Sequence, residues 1–179
     1  MDHRVVISGM GMISPLGLSV EETWQGLLAG RSAVAPIVEF STEGFPTRMA
    51  AQVRGFDALN YLGHKDARRA GRFTQFAAAA ISEAIIQSKL DMDSEDRTRV
   101  GLQIGSAIGG LAVIEDQTMV LREKGVRRIN PVFVPTVIVS AAPCQLAVLW
   151  HIQGPTHAPA AACATGIVAL GEAMRNIKW

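Results

Sequence analysis

One arrangement occurs twice in this chain and limits what it can fold into. A short β-branched run ends in glycine, and an amphipathic helical period follows it. The first run is RVVISGMG, residues 4–11, and the second is RVGLQIGS, residues 99–106; each reads as a buried strand that breaks at a glycine turn. Behind the first, Ser19 is placed to cap a helix in which Glu21 and Glu22 suit the positive end of the dipole. Trp24, Leu27 and Leu28 give that helix an apolar face, and Gly30 ends it. Residues 31–63 read mostly as loop, with MAAQV at 49–53 as a short strand. Phe73, Ala77, Ala80, Ile81, Ala84, Ile85 and Ser88 recur at helical spacing, which predicts a helix over 73–88 with that face buried.

Behind the second run, Leu111, Ile114 and Leu121 predict a helix of about three turns. An extended stretch is expected after Asn130 and Pro131, and then a helix from Ser140, its cap, through His151. Pro143 falls in the first turn of that helix, where its missing N–H does least harm. THAPAAA, residues 156–162, reads as a third strand, although Pro159 cannot donate to a ladder and marks a bulge or an edge. A last helix carries Ile167, Leu170, Met174 and Ile177 on one face, with Arg175 and Lys178 at its negative end. Strands and helices that alternate in this way specify an α/β fold.

Composition narrows the functional classes. A chain of 179 residues that is 49% hydrophobic and 18% charged buries a core of its own and is not disordered. No segment is long and apolar enough to cross a bilayer, and the N-terminus lacks the layout of a signal peptide, so the cytoplasm is expected. Cys144 and Cys163 form neither a metal-ligand spacing nor a disulfide framework; reduced thiols, no metal and no cofactor are expected. A net charge of +1 gives no global pull toward nucleic acid or membrane. GMG at residues 9–11 is not a dinucleotide fingerprint, because Ser14 stands where the third glycine belongs.

The segment PAAACATGIV, residues 159–168, sets Cys163 among the smallest side chains available, just where a helix begins. At a helix N-terminus the unpaired N–H groups and the dipole favour a thiolate, and small neighbours leave the sulfur approachable. First-turn N–H groups can also stabilise an oxyanion on an attacked carbonyl. A free cysteine at an alanine-rich strand end is equally readable as a small core residue, and spacing alone does not decide between the two.

AACATG at 161–166, preceded by GPTHAPA, resembles the nucleophile segment of the β-ketoacyl-(acyl carrier protein) synthases, condensing enzymes of thiolase-like fold. RVVISGMGMISPLG resembles the start of that family, GSAIGGL its glycine turn, and NPVFVPTVIVSAAP the region feeding its active-site face. The type II elongating synthase is the best match. Ser140 stands where the family commonly has Asn, and Cys144 where a small residue such as Gly is usual.

The resemblance implies a thiolase-like fold with a mixed sheet flanked by helices on both faces. It implies an acyltransferase that loads an acyl group on Cys163 and then performs a decarboxylative Claisen condensation with malonyl carrier. The family's two histidines, lysine and second oxyanion N–H belong to its second half. Residues 1–179 resemble only the N-terminal half-domain, ending before a central strand, so this chain is expected to be incompetent for condensation alone and to need the missing C-terminal half. His3, His64, His151 and His157 match no catalytic position. The remaining alternative is a non-catalytic subunit of the chain-length-factor kind or an interaction fragment, although chain-length factors generally lose the cysteine.

Lys65, Arg68, Arg69 and Arg72 form one basic cluster, and Arg127 with Arg128 another. From charge alone, a solvated surface and a docking patch are equally good readings. The resemblance assigns Lys65, Arg68, Arg69, Arg127 and Arg128 to docking of an acidic, phosphopantetheinylated acyl carrier protein. It also assigns Ile108 and Phe133 to the acyl-chain tunnel, Phe133 reaching across the interface of a homodimer. Apolar side chains suit such a tunnel.

Overall fold

The computed structural model describes residues 4–179; His3 lies outside them. Residues 4–11 do not form the expected strand. They run across a helix instead, where the N–H of Met10 donates to Gln87 Oε1 at 2.6 Å and that of Met12 to Glu83 Oε2 at 2.9 Å. Side chains of a helix therefore satisfy the donors a sheet neighbour would have taken. Val6 and Ile7 remain exposed. Helix α1, Val20–Leu28, starts where Ser19 caps it by accepting from Glu22 N. Its buried positions are Thr23 and Gly26, so the expected apolar face of Trp24, Leu27 and Leu28 is exposed. Strands β1, Val34–Pro36, and β2, Met49–Ala51, pair antiparallel; the second is the short strand read at 49–53, and the first fell in a stretch read as loop.

Helix α2, His64–Ala67, is a single turn that leads into α3, Arg72–Ser88. The predicted helix over 73–88 is there, rotated relative to expectation. Thr74, Ala78 and Ala79 are its buried residues, and the predicted stripe is mainly half-buried. Strand β3, Leu102–Gln103, precedes α4, Leu111–Lys124. Helix α5, Phe133–Val137, replaces the expected extended stretch. It forms because Pro135 sits in the first turn, where no N–H is required. The Thr136 hydroxyl then ties it down, donating to Val132 O at 2.7 Å and to Arg69 O at 3.0 Å.

Helix α6, Ala141–Leu149, follows Ser140, whose side chain makes no capping bond. Pro143 lies in its first turn, as read, and is fully buried. Strand β4, Thr156–His157, pairs parallel with β3. The ladder takes Leu102 N to Pro155 O and Ile104 N to His157 O, and it stops before Pro159, which has no N–H to continue it. Helix α7, Thr165–Lys178, closes the described chain, and its Ile167, Leu170, Met174 and Ile177 face is exposed. The core lies where α3 meets α6: Ala78, Leu146, Leu62, Leu102, Ala70 and Ile152 pack together, and small alanines let the helices approach closely.

The described residues thus hold two small sheets, one antiparallel and one parallel, in place of one mixed sheet. The α/β character stands. No helix among the described residues is long and apolar enough to cross a membrane.

Lys89 ends α3 in the left-handed region, at φ 57°, where a side chain is disfavoured and glycine is not. Lys89→Gly is expected to raise stability by about 0.5–1 kcal/mol in chemical denaturation, with the denaturant slope unchanged.

Candidate active site

Past β4 the chain meets α7 through one tight turn. Residues 162–164 form a 3₁₀ turn, Ala162–Ala164, and α7 begins at Thr165. Cys163 stands in the middle of that turn, exposed, with exposed alanines at 160–162 and 164. The sulfur thus stands just before α7, as the sequence predicts, and it is reachable, but the strand expected to run to 162 stops at His157. The turn's first used donor is Ala164 N–H, bonded to Ala161 O at 3.0 Å. The N–H of Cys163 comes one residue earlier, among the leading donors of a helical segment that have no acceptor within it.

Three features hold the turn. Ala162 has φ 47°, a left-handed conformation that costs a non-glycine residue about 1 kcal/mol and is kept only where its surroundings enforce it. The enforcement comes from Thr165, which is buried: its Oγ1 accepts from Ala161 N at 2.8 Å and donates to Ala162 O at 2.8 Å. Gly105, just past β3, supplies the backing. A Cβ there would stand 2.2 Å from Thr165 Cγ2 and 2.6 Å from Pro159 O. The sequence marks Cys163 and the glycine turn but not the Thr165 clasp; the only available signal was a hydroxyl residue two positions after the thiol.

Ile108 follows Gly105 by three residues, so the two Cα atoms are within about 11 Å. It is exposed on the loop before α4. Gly110 N donates to Val137 O at 2.9 Å, joining that loop to the end of α5, the helix that Phe133 begins half-buried. The tunnel candidates thus belong to adjoining segments, one of which leads directly from the turn's backing glycine.

The basic residues gather separately. Lys65, Arg68 and Arg69 line a hollow of about 500 Å3 together with His64, Asn130 and Val132. Arg127 and Arg128 lie in the 3₁₀ turn Val126–Arg128, two or three residues before Asn130. All five cations are exposed. Arg72 is not part of this patch. Its guanidinium donates to Val53 O at 3.0 Å, lies 3.8 Å from Glu39 and sits 4.9 Å over the Phe76 ring. His64 and His151 line hollows away from the cysteine turn, and His157 ends β4.

The family profile described as beta-ketoacyl synthase, N-terminal domain, matches residues 2–179. The chain belongs to the β-ketoacyl synthase family. The 3-oxoacyl-(acyl-carrier-protein) synthase 2 of Vibrio cholerae is 43% identical over 177 residues, which are 99% of this chain and 43% of that protein. The enzyme of the same name from Staphylococcus aureus is 38% identical over the same span. Among solved structures, the ishigamide ketosynthase/chain length factor superposes with a TM-score of 0.88 at 27% identity, covering 97% of this chain and 43% of that one. A beta-ketoacyl synthase from Burkholderia phymatum gives 0.80 at 26% identity, over 96% of this chain and 43% of that one. The fold is thus that of the thiolase-like ketosynthases, and the chain spans less than half the length of these relatives.

Gly105→Ala tests the backing of the turn. The added methyl meets Pro159 backbone and the clasping threonine, so a loss of about 1–3 kcal/mol is expected in denaturant unfolding. Alkylation kinetics at Cys163 are expected to change while those at Cys144 stay the same.

Proposed function

We propose that this chain is the acyl-accepting half of a β-ketoacyl-(acyl carrier protein) synthase, and that Cys163 is its nucleophile. The supporting observation is the exposed thiol in the turn that opens α7. In the loading step the sulfur attacks the carbonyl of an acyl thioester. A C–S bond forms to Cys163, the bond to the carrier's sulfur breaks, and the proton of the Cys163 thiol leaves with the carrier thiol. Negative charge builds on the carbonyl oxygen in between, and the Cys163 N–H with the α7 dipole is the nearest favourable field. The turn's alanines leave room for the chain of the substrate, and Ile108 and Phe133 are assigned to lining its path.

Condensation requires a second acyl unit, malonyl carrier, to lose CO2 and attack the Cys163 thioester, which forms the new C–C bond and frees the thiol. The two histidines and the lysine that the family resemblance implies for that step are assigned to the part of such synthases that this chain does not span. The complete enzyme is proposed to act as a homodimer. The acidic carrier is assigned to the face carrying Lys65, Arg68, Arg69, Arg127 and Arg128, whose charge steers it over roughly 10 Å at moderate salt.

Intact mass measurement after incubation with an acyl-carrier thioester is expected to show one acyl adduct, absent in Cys163→Ala. An adduct that persists in that variant and maps to Cys144 would move the nucleophile to α6.

Charge reversal tests docking. Arg68→Glu with Arg69→Glu is expected to slow carrier association by about tenfold or more at low salt, with the difference shrinking as salt rises. Equal association rates for variant and parent across the salt series would remove the carrier from this face.

A further inference from the structure

One side chain beside Cys163 is used more fully than packing requires. The Thr165 hydroxyl accepts from Ala161 N at 2.8 Å and donates to Ala162 O at 2.8 Å, and the Thr165 N–H donates to that same oxygen. Only 6% of the residue is exposed, so these bonds are made on the protein's side of the turn. Its methyl has a different neighbour, since a Cβ added at Gly105 would stand 2.2 Å from Thr165 Cγ2. Oxygen and carbon of one side chain therefore serve two segments, the residues before the thiol and the chain just past β3.

The oxygen that Thr165 holds belongs to the same peptide unit as the Cys163 N–H. Ala162 C=O and Cys163 N–H lie in one planar trans unit, in which the two groups point in opposite directions. Drawing Ala162 O inward therefore turns Cys163 N–H outward. The backbone bonds of the turn start at Ala164 N and Thr165 N, and they leave that N–H unused. Donation to Ala162 O also polarises the unit, which strengthens its N–H as a donor. Without the clasp, Ala162 at φ 47° relaxes toward the conformations alanine favours, and the peptide unit turns with it.

We infer that Thr165 is a positioning residue for acyl loading: through the Ala162–Cys163 peptide unit it fixes the direction and the strength of the N–H that meets the carbonyl oxygen. The inference rests on the reading of Cys163 as the nucleophile. In the loading step the sulfur bonds to the acyl carbon, the carrier's C–S bond breaks and the thiol proton leaves with the carrier thiol. Thr165 exchanges no proton or bond in that step; it acts through the backbone while the carbonyl oxygen carries negative charge.

The test compares two reactions of one sulfur in the 179-residue chain. Acyl transfer from octanoyl-(acyl carrier protein) builds an oxyanion, whereas alkylation by iodoacetamide, a displacement at a saturated carbon, does not. Both are followed at Cys163 by time-resolved mass measurement, with rate and final yield recorded separately. Thr165→Val keeps the shape and removes the hydroxyl, and is expected to lower the saturating acylation rate about fivefold with half-saturation unchanged. Thr165→Ser keeps the hydroxyl and loses the methyl, and is expected to stay within about twofold of the parent. Thr165→Ala lacks the hydroxyl too and is expected to follow Thr165→Val, so the comparison survives if one variant folds poorly. Alkylation rates are expected to agree within about twofold throughout, because that reaction makes no use of the N–H. A purely structural role gives the reverse order, with Thr165→Ser penalised for the space it leaves beside Gly105, or a loss of yield in place of rate. The proposal is overturned if Thr165→Ser is as slow as Thr165→Val, if alkylation falls in step with acylation, or if only the yield falls. A parent chain that takes no octanoyl group overturns the nucleophile reading and this role with it, whereas an acylated parent with variants equal to it overturns this role alone.

Discussion

The close approach of Gly105 to the turn that opens α7 is the constraint on which the candidate site rests. A side chain at that point would occupy the space of the Thr165 methyl and of Pro159 O. Because none is there, β3 runs directly behind the turn, and buried Thr165 closes the loop on itself through Ala161 N and Ala162 O. Those two bonds hold Ala162 in a conformation alanine otherwise avoids. Cys163 is presented to solvent as a result: the strain sits one residue before it and the clasp two residues after.

Charge is arranged on a different principle. The chain is nearly neutral overall, yet Lys65, Arg68 and Arg69 line one hollow, while exposed Arg127 and Arg128 stand in the 3₁₀ turn Val126–Arg128. The one neighbour that would have joined them, Arg72, is absorbed by Glu39, Val53 O and the face of Phe76. Charge is thus concentrated locally although the net charge is small.

Sequence reasoning succeeded where the information is local. Ser19 caps α1 as read, the period of residues 73–88 places α3 within one residue, and Cys163 falls at the start of α7. It failed where the outcome depends on what lies alongside. The run at 4–11 has strand composition, but Glu83 and Gln87 of α3 take its N–H groups. Residues 133–137 look extended because of valine and proline, but a helical turn forms there once Thr136 finds Arg69 O. The apolar stripes of α1 and α7 were correctly located as helical faces, and both lie exposed. Periodicity gives a helix an inside only when a neighbour is present. The clasp at Thr165 and the left-handed Ala162 were illegible for the same reason, since nothing in ATG distinguishes a clasping threonine from a solvent-facing one.

Arg69 O accepts from Thr136 Oγ1 and from Gln145 Nε2, the latter at 3.3 Å. The backbone beneath the basic face is thereby pinned to both α5 and α6 rather than left as a free loop. Binding by flexible segments spends part of its interaction energy on ordering them. A platform fixed in advance avoids that entropic loss: the backbone under these cations is already in place before anything meets it.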